Sequence, residues 1–413
     1  MKPTEAIDLV IVGSGPAGAS TALHLLRSDR RWAGRMVVLD RASHPRDKLC
    51  GGGVTPLGEE VLSGLGLELG SASTSAGRGS APPHVPISEL RLVFGTRGYA
   101  LHGDPVFRVT RRRDLDAWLA GCAQTEGAEL RDGEAVLAVE PGADCVQVVT
   151  ERAVYRARAV VGADGSKGVV RRGLGWRAGA RQARLLEVLT PERPAGGAAP
   201  GGWRGVAVFD FTPLASGLRG YYWDFPSLVD GRPMMNRGVF DSRISTGGPE
   251  APLKEVLAAA LALRGRCLEE FRLQGHPLQW FEPGARVATE RVVLAGDAAG
   301  VDPLLGEGIS FALAHGRVAA AAVADAFGRR DFSFRGYGER LLGDPVLAQL
   351  DRRRRLAQAV YTPAGRRLVK AGWGLVPWAL RWIDRLRPGV LPLPEPRFER
   401  LRGLEPEILR AGA

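Results

Sequence analysis

The sequence predicts an α/β protein: a doubly wound parallel sheet, an inserted antiparallel-sheet domain and a helical C-terminal region. Three observations predict this fold class. An apolar strand near the N-terminus leads through clustered glycines into a helix, and two later apolar runs end in adjacent glycine and aspartate. Between those two runs lies a segment of alternating aromatic residues, a period-two pattern that indicates a strand.

The composition limits the kinds of molecule that we expect the protein to bind. The 413-residue chain has a formal net charge of +11, and arginine outnumbers lysine throughout, which indicates a generally basic surface. No nucleic-acid recognition motif accompanies the charge, so we expect no nucleic-acid partner. The four cysteines form no CxxC pair, so no metal site and no disulfide framework is predicted. Since no signal-peptide pattern and no apolar run of roughly 20 residues occurs, we expect a cytoplasmic protein.

The first element is a strand, a glycine turn and a helix in the stretch "IDLVIVGSGPAGASTALHLL". In this context a GxGxxG pattern is typical of a Rossmann-type dinucleotide site. Gly13 allows the tight turn, Gly15 lets the backbone approach a pyrophosphate, and Gly18 lets the helix pack on the strand. Pro16 and Ala17 begin the helix, whose free N–H groups can bind phosphate.

A second strand, "RMVVLD", ends at Asp40, and Arg41 follows it. A carboxylate at this position can accept hydrogen bonds from both ribose hydroxyls, which favours an adenosine without a 2′-phosphate. We therefore expect Asp40 and Arg41 to contact the dinucleotide.

The next stretch, "RDKLCGGGVTP" at residues 46–56, leaves the carboxyl edge of the sheet, where doubly wound folds bind ligands. Its glycines allow a large flat ligand to lie against the main chain. Lys48, Cys50 and Gly51 are therefore candidate cofactor contacts. Cys50 is small enough to face such a ligand and can donate a weak S–H hydrogen bond.

Three later segments add candidate cofactor residues. Arg112 opens an amphipathic helix, and its planar guanidinium suits bidentate contact with a phosphate or a ring edge. A strand then ends in Asp164 and Gly165. A third strand precedes a glycine-rich turn and a long helix, and the candidates there are Gly296, Asp297, Pro303, Gly306, Gly308 and Ile309. An aspartate after a strand can bind a sugar hydroxyl, and helix N-terminal amides can face a pyrophosphate or a ring carbonyl.

These motifs, in this order, resemble the flavoproteins of the para-hydroxybenzoate hydroxylase fold. Those proteins carry GxGxxG near the N-terminus, DG in mid-chain and GD in the last third. The resemblance covers roughly the first 330 residues. It implies one FAD in a single Rossmann-type domain, without a separate nicotinamide domain.

Two further features resemble the geranylgeranyl reductase family. "RDKLCGGG" is similar to the family's R-x-K-x-C-G-x-G segment, and "GYYWDFP" matches its Y-x-W-x-F-P motif at Tyr221, Trp223, Phe225 and Pro226. The family's proline three residues before the tyrosine is Leu218 in this chain, and a downstream G-x-G is incomplete. These departures concern the substrate class and leave the fold unaffected.

The resemblance implies an FAD-dependent reductase that hydrogenates isoprenoid C=C bonds of a prenyl lipid, quinone or pigment precursor. Hydride transfer would come from flavin N5, with NAD(P)H or ferredoxin as the external electron donor. Tyr221, Trp223, Phe225 and Pro226 are the expected substrate-binding residues. Tyr221 and Trp223 are candidate catalytic residues, because aromatic faces can stabilise a carbocation-like centre, and Cys50 is a third at the flavin–substrate junction.

Other functions share this fold. An FAD-dependent monooxygenase or halogenase acting on an aromatic or polyketide metabolite is the nearest alternative, although the W-x-W-x-I-P sequence of many halogenases is absent. A non-redox role, in cyclisation or lipid carriage, is a third. Alternating aromatics on a strand are also common in an ordinary core.

The predicted organisation has three regions: an FAD-binding domain at 1–75, 105–180 and 285–330, a substrate domain at 76–104 and 181–284, and a helical region at 331–413. In the last region one helical face carries Trp378, Trp382, Ile383 and Leu386, with arginines opposite. Such a helix can lie at a membrane surface, cap the substrate tunnel or pack on the core. Peripheral contact with the inner face of the membrane is therefore one of three alternatives, and no pattern indicates an oligomeric state.

Overall fold

The computed structural model describes residues 2–70, 80–176, 182–192, 205–245, 250–378 and 397–401. These residues form two sheets with helices packed against them.

The first sheet contains eight strands among the described residues: β1 (Thr4–Val12), β2 (Met36–Leu39), β6 (Glu129–Arg131), β7 (Val136–Pro141), β8 (Val146–Thr150), β9 (Val154–Gly162), β15 (Ala288–Thr289) and β16 (Val292–Leu294). Its main order is β15–β16–β9–β1–β2–β6, and the hairpin β7–β8 pairs with β9. β1 is parallel to β2 and β9, and β16 is parallel to β9. The carboxyl ends of β1, β9 and β16 therefore share one edge, which brings the three glycine turns together.

The second sheet contains nine described strands: β3 (Gly53–Val54), β4 (His84–Phe94), β5 (Arg97–Thr110), β10 (Ala183–Pro191), β11 (Val206–Asp210), β12 (Gly220–Val229), β13 (Arg232–Asp241), β14 (Gln274–Leu278) and β17 (Arg397–Leu401). Their order is β14–β10–β13–β12–β11–β4–β5–β17, with β3 also on β5. The pairing is antiparallel except between β11 and β4.

The described helices are α1 (Pro16–Ser28), α2 (Pro56–Gly64), α3 (Arg112–Thr125), α4 (Val169–Gly173), α5 (Leu253–Ala262), α6 (Ile309–Arg329), α7 (Tyr337–Gly343), α8 (Ala348–Val360) and α9 (Pro363–Ala371). α1 and α6 pack closely: a Cβ at Gly316 would lie 2.6 Å from the carbonyl oxygen of Ala17. The Ser20 hydroxyl also donates to the Leu313 carbonyl at 2.7 Å. This packing fixes the starts of both helices relative to the edge where the glycine turns meet.

The predicted fold class is confirmed. The domain division at the stated residues stays a prediction; β5 crosses the expected boundary at residue 105, because its hairpin with β4 belongs to the second sheet. The C-terminal region is helical through α7, α8 and α9 and then adds β17, a strand that the sequence analysis does not predict. β17 covers the edge of β5, which would otherwise expose unpaired backbone groups.

Of the four residues that define the apolar face of the predicted amphipathic helix, Trp378 belongs to the described part of the chain, and this residue is 67% exposed. Trp382, Ile383 and Leu386 lie outside the described residues. Among the helices that the structure describes, none is both long enough and apolar enough to cross a membrane.

Candidate functional site

A cleft opens at the edge of the first sheet where the turns after β1, β9 and β16 meet. Its empty space, including the part open to solvent, is about 1200 Å³. The predicted cofactor residues that line it are Gly13, Gly15, Pro16, Ala17, Asp40, Arg41, Lys48, Arg112, Asp164, Gly165, Gly296, Asp297, Gly308 and Ile309. Gly18 lies behind this wall, where a Cβ would lie 1.8 Å from the Gly13 carbonyl oxygen, so its lack of a side chain lets α1 pack on the turn.

The start of α1 is an anion-binding position. A Cβ at Gly15 would lie 3.4 Å from Arg112 Nη2 and 3.7 Å from Arg46 Nη2. Both guanidinium groups are held by the buried Asp116, which accepts two hydrogen bonds from Arg112, at 2.7 and 2.8 Å, and contacts Arg46 at 3.2 Å. Fixed positive charge beside the free N–H groups of a helix suits a pyrophosphate. No local pattern predicts a cofactor role for Arg46, although it lies in "RDKLCGGGVTP", or for Asp116.

Asp40 is already part of a hydrogen-bond network. Its Oδ2 accepts from the Ser14 N–H at 3.0 Å, the Ser14 hydroxyl at 2.7 Å and Arg46 at 3.2 Å, and Oδ1 accepts from the Ala42 N–H at 3.1 Å. Burial opposes ionisation, but Arg46 and the Ser14 hydrogen bonds outweigh it and lower the pKa of Asp40. The carboxylate is thus ionised and oriented in the cleft, as the predicted ribose contact requires.

Asp164 lines the cleft at the turn after β9. Its Oδ2 accepts from the Val170 N–H at 2.9 Å, while Oδ1 is buried with no hydrogen-bond partner among the described residues. Burial raises the pKa of Asp164 to about 6. A buried acceptor without a partner costs free energy, which a ligand hydroxyl would recover.

A second cavity lies between the first sheet's edge and one face of the second sheet. It also has about 1200 Å³ of empty space, and it shares Lys48, Arg112, Asp297, Gly308 and Ile309 with the cleft. Its walls include Tyr221, Trp223 and Phe225 from β12 together with Phe107, Phe209 and Phe240. Ring centroids are 4.7 Å apart for Phe209–Tyr221 and 5.2 Å for Phe209–Phe225. The period-two pattern of β12 thus puts three aromatic residues on one continuous apolar wall.

The glycine run of the sequence forms the opposite wall. A Cβ at Gly51 would lie 3.1 Å from the Phe225 ring and 3.5 Å from Trp223 Nε1. Gly52 has a φ of +81°, and a Cβ there would lie 2.2 Å from the Thr110 carbonyl oxygen. Gly306 lines the same cavity, where a Cβ would lie 2.8 Å from the Phe240 ring. Gly51 and Gly306 thus bring the main chain into contact with the aromatic wall, whereas Gly52 brings it against β5.

The lining of this cavity also contains polar side chains: Lys48, Cys50, Thr55, Arg112, His276, Asp297 and Glu307. Cys50 lines it, and burial raises the pKa of its thiol, which keeps the thiol protonated at neutral pH. His276, on β14, is also in the lining, and burial and the Lys48 charge lower its pKa to about 4, which keeps its ring neutral. Glu307 accepts hydrogen bonds from the Thr55 hydroxyl and from Arg353, the latter at 2.7 Å.

Besides Gly18, two predicted residues are outside the linings of both cavities. Pro303 is absent from either lining, and its carbonyl oxygen accepts a hydrogen bond from the Ser242 hydroxyl. Pro226 pairs with Met235 between β12 and β13 and is likewise outside the cavity wall. Four lining residues are not predicted from the sequence, because each lies on a strand that only the tertiary fold brings to the cavity: Phe107, Phe209, Phe240 and His276.

The cleft fits FAD. The anion position at Gly15, the ionised Asp40 and the unpartnered Asp164 oxygen are three separate positions on its wall, and each suits one part of a flavin dinucleotide. The flavin ring itself would belong where the cleft meets the apolar cavity, at Lys48 and Asp297, whose charged groups lie 3.8 Å apart. Among the described residues no cluster of His, Cys, Asp or Glu is arranged to hold a metal ion.

The cleft therefore defines an FAD-binding protein. The chain belongs to the FAD binding domain family, which it matches over residues 6–230. It is a flavoprotein oxidoreductase related to geranylgeranyl reductase-like proteins, which confirms the resemblance found in the sequence.

Particular relatives agree with this assignment. The chain is 30% identical over 332 residues to the menaquinone reductase of Mycolicibacterium smegmatis, covering 76% of this chain and 75% of that one. It is also 30% identical over 329 residues to a 12-dehydrotetracycline 5-monooxygenase/anhydrotetracycline 6-monooxygenase of Streptomyces rimosus. This match covers 73% of this chain and 59% of that one. A geranylgeranyl bacteriochlorophyll reductase-like protein of Thermoplasma acidophilum shares the fold, with a TM-score of 0.69 and 18% identity. The structural match covers 93% of this chain and 100% of that one.

Proposed function

We propose that this protein is an FAD-dependent reductase that hydrogenates an isoprenoid C=C bond of a prenyl lipid or prenylquinone. The observation that supports it most is the apolar cavity with aromatic walls that meets the FAD cleft at Lys48, Arg112 and Asp297. The menaquinone reductase relative supports a prenylquinone as the substrate class. The electron donor, NAD(P)H or ferredoxin, stays a prediction.

The side chains of this cavity suit the reduction of an isolated alkene. When bound and reduced by an external electron donor, FAD would supply a hydride from flavin N5. The aromatic walls exclude water and hold an apolar chain, and the ring faces of Tyr221 and Trp223 stabilise positive charge that develops on the alkene. The Tyr221 hydroxyl donates to the Leu305 carbonyl, which fixes the ring against the cavity.

Cys50 is the candidate donor of the proton, which would add to one alkene carbon and leave positive charge on the other, where the hydride then adds. Its thiol is protonated at neutral pH and lines the cavity beside Gly51. General-acid catalysis contributes roughly 10²–10⁴-fold to a rate. Cys50→Ala should therefore slow alkene reduction by at least tenfold while FAD content stays unchanged. Equal rates for the variant and the parent would show that Cys50 lines the cavity without donating the proton.

The test is a single turnover without oxygen. The flavin-loaded protein is reduced chemically, freed of excess reductant and mixed with a geranylgeranyl compound that lacks a quinone ring, since a quinone could itself accept the electrons. We expect the flavin to reoxidise under nitrogen and the analogue with a saturated chain to leave it reduced. A strict requirement for oxygen would contradict the proposal.

A monooxygenase is the second candidate, favoured by the Streptomyces rimosus relative. The same experiment separates the two functions: an oxygenase reoxidises only when oxygen is admitted, and its product contains an added oxygen atom.

Peripheral membrane contact through the C-terminal region is a further part of the proposal, and it suits a lipid substrate. Leu368, Leu375 and Trp378 are 72%, 66% and 67% exposed, and the exposed Arg367 and Lys370 lie on the same segment. Exposed apolar side chains beside basic ones suit an anionic lipid surface. Leu375→Asp should weaken sedimentation with phosphatidylglycerol vesicles, and Leu263→Asp, at an exposed leucine near the end of α5, is the matched control. Equal sedimentation of the two variants would exclude this contact.

A further inference from the structure

A chain of hydrogen bonds runs behind the aromatic wall and joins it to the glycine run. Trp223 Nε1 donates to Asn236 Oδ1 at 2.8 Å. Asn236 Nδ2 donates to the Cys50 carbonyl oxygen at 3.1 Å and to Glu187 Oε2 at 3.4 Å. The Cys50 N–H donates to Glu187 Oε1 at 3.3 Å. One carboxyl and one amide therefore connect the two opposing walls of the apolar cavity.

These polar groups are buried where an apolar residue would cost less. Glu187 and Asn236 are 6% and 5% exposed. On β10, Leu185 lines the apolar cavity, and Glu187 is the next residue on the same face of the strand. A buried carboxyl in this position loses hydration, and a leucine would pack there without that penalty. The Glu187 carboxyl therefore has a role that an apolar side chain could not perform.

Glu187 also faces a third, polar cavity of about 850 Å³. The segment from Lys48 to Gly51 separates it from the apolar cavity, since these residues line both. The charged and titratable groups that line it with Glu187 are Asp47, Lys48, Cys50, Arg111, Arg112, Arg113 and Arg272. Burial raises the pKa of Glu187 to about 7, although Asn236, the Cys50 N–H and Arg111 oppose the shift. Its proton can therefore exchange through a polar space near neutral pH.

We propose that Glu187 and Asn236 are positioning residues that hold the Cys50–Gly51 main chain against the Trp223 ring, and that ionisation of Glu187 controls how firmly they hold it. Both hydrogen bonds to the carboxyl come from N–H donors, so the ionised form accepts both strongly. Protonation places an O–H on one oxygen, which then faces an N–H donor and loses that hydrogen bond. The effect on substrate rests on the proposed function.

The test compares Glu187→Gln with the parent protein across pH. In the parent, affinity for the geranylgeranyl compound should weaken about three- to tenfold as the pH falls from about 8 to about 6, because the carboxyl becomes protonated. Glu187→Gln should bind weakly at every pH, with unchanged FAD content and a cooperative unfolding transition that shows it is folded. Glu192→Gln is the matched control: burial raises the pKa of Glu192 to about 7 as well, but Glu192 lines none of the three cavities. A pH profile that persists in Glu187→Gln would overturn the proposal.

A second readout needs no substrate. The Trp223 emission is obtained as the difference between the parent and Trp223→Phe, and we expect it to titrate near pH 7 in the parent and to stay constant in Glu187→Gln. A Trp223 emission that does not titrate in the parent would contradict the proposal. If it titrates while no alkene is reduced, the positioning pair stands and the proposed function fails.

Discussion

The adjacent Gly51 and Gly52 each have a physical reason to lack a side chain, and the two reasons differ. Gly51 contacts the aromatic wall, because a Cβ there would lie 3.1 Å from the Phe225 ring, a side chain that can shift slightly. Gly52 has a φ of +81° and faces the Thr110 carbonyl oxygen, which belongs to a rigid strand. Only at Gly52 does the backbone conformation itself require a glycine.

These two positions give a matched pair of substitutions. Gly52→Ala should destabilise the protein by about 1–3 kcal/mol, because it combines a left-handed backbone with a clash against β5. Gly51→Ala should keep FAD content and stability close to those of the parent and weaken substrate binding. Denaturant unfolding and substrate titration of both variants check this, and equal destabilisation of the two would contradict the assignment.

Asp164 gives a prediction about pH and cofactor affinity. Its pKa is raised to about 6, so in the flavin-free protein the carboxyl is protonated below that pH and ionised above it. An ionised Oδ1 accepts a ligand hydroxyl better, so FAD affinity should rise about tenfold from pH 5 to pH 7. Asp164→Asn should remove this dependence. Asp40→Asn is the control: the pKa of Asp40 is lowered, so its loss should weaken FAD binding and leave the pH profile in place.

At the scale of elements, α8 is fastened to the cavity by a buried charge cluster. Arg353 is fully buried and contacts Asp302 at 2.9 Å and Glu307 at 2.7 Å. Asp302 and Glu307 belong to the turn before α6, and Glu307 lines the apolar cavity. The C-terminal helices are therefore coupled to the turn that joins the cleft to the cavity.

Removing the central cation should be costly. Arg353→Met leaves two carboxylates facing each other in a buried site, and we expect a loss of about 3–5 kcal/mol in the free energy of unfolding. Arg355→Ala, on the same helix, is the control, because Arg355 is 72% exposed and pairs with Asp351 at the surface. It should cost less than about 1 kcal/mol. Equal unfolding free energies for the two variants would show that the cluster does not fasten α8.

The elements also show what sequence patterns can predict. The three glycine turns and the aromatic strand β12 are local patterns, in which neighbouring residues fix the backbone, and they were predicted with their residues. Glu187 and Asn236 carry no local signal. They meet only because β10 pairs with β13, at Glu187 opposite Gly238 and Leu189 opposite Asn236. Arg46 and Asp116 were missed for the same reason: their contact joins a loop to the buried face of a helix.

At the scale of the whole molecule, the FAD cleft, the apolar cavity and the polar cavity meet at one place. Lys48 and Arg112 line the FAD cleft, the apolar cavity and the polar cavity. The cofactor, an apolar substrate and exchangeable protons therefore have separate routes to the same junction. The central claim is that an alkene held in the apolar cavity is reduced at this junction.

Product analysis of a single anaerobic turnover in D₂O tests that claim most directly. Flavin N5 hydrogen exchanges with solvent, so a reduced alkene should carry two added deuterium atoms, with one product formed for each flavin reoxidised. Mass spectrometry of the extracted prenyl compound gives both the number of deuterium atoms and the stoichiometry. An oxygen-containing product, or unchanged prenyl compound beside oxidised flavin, would contradict the account.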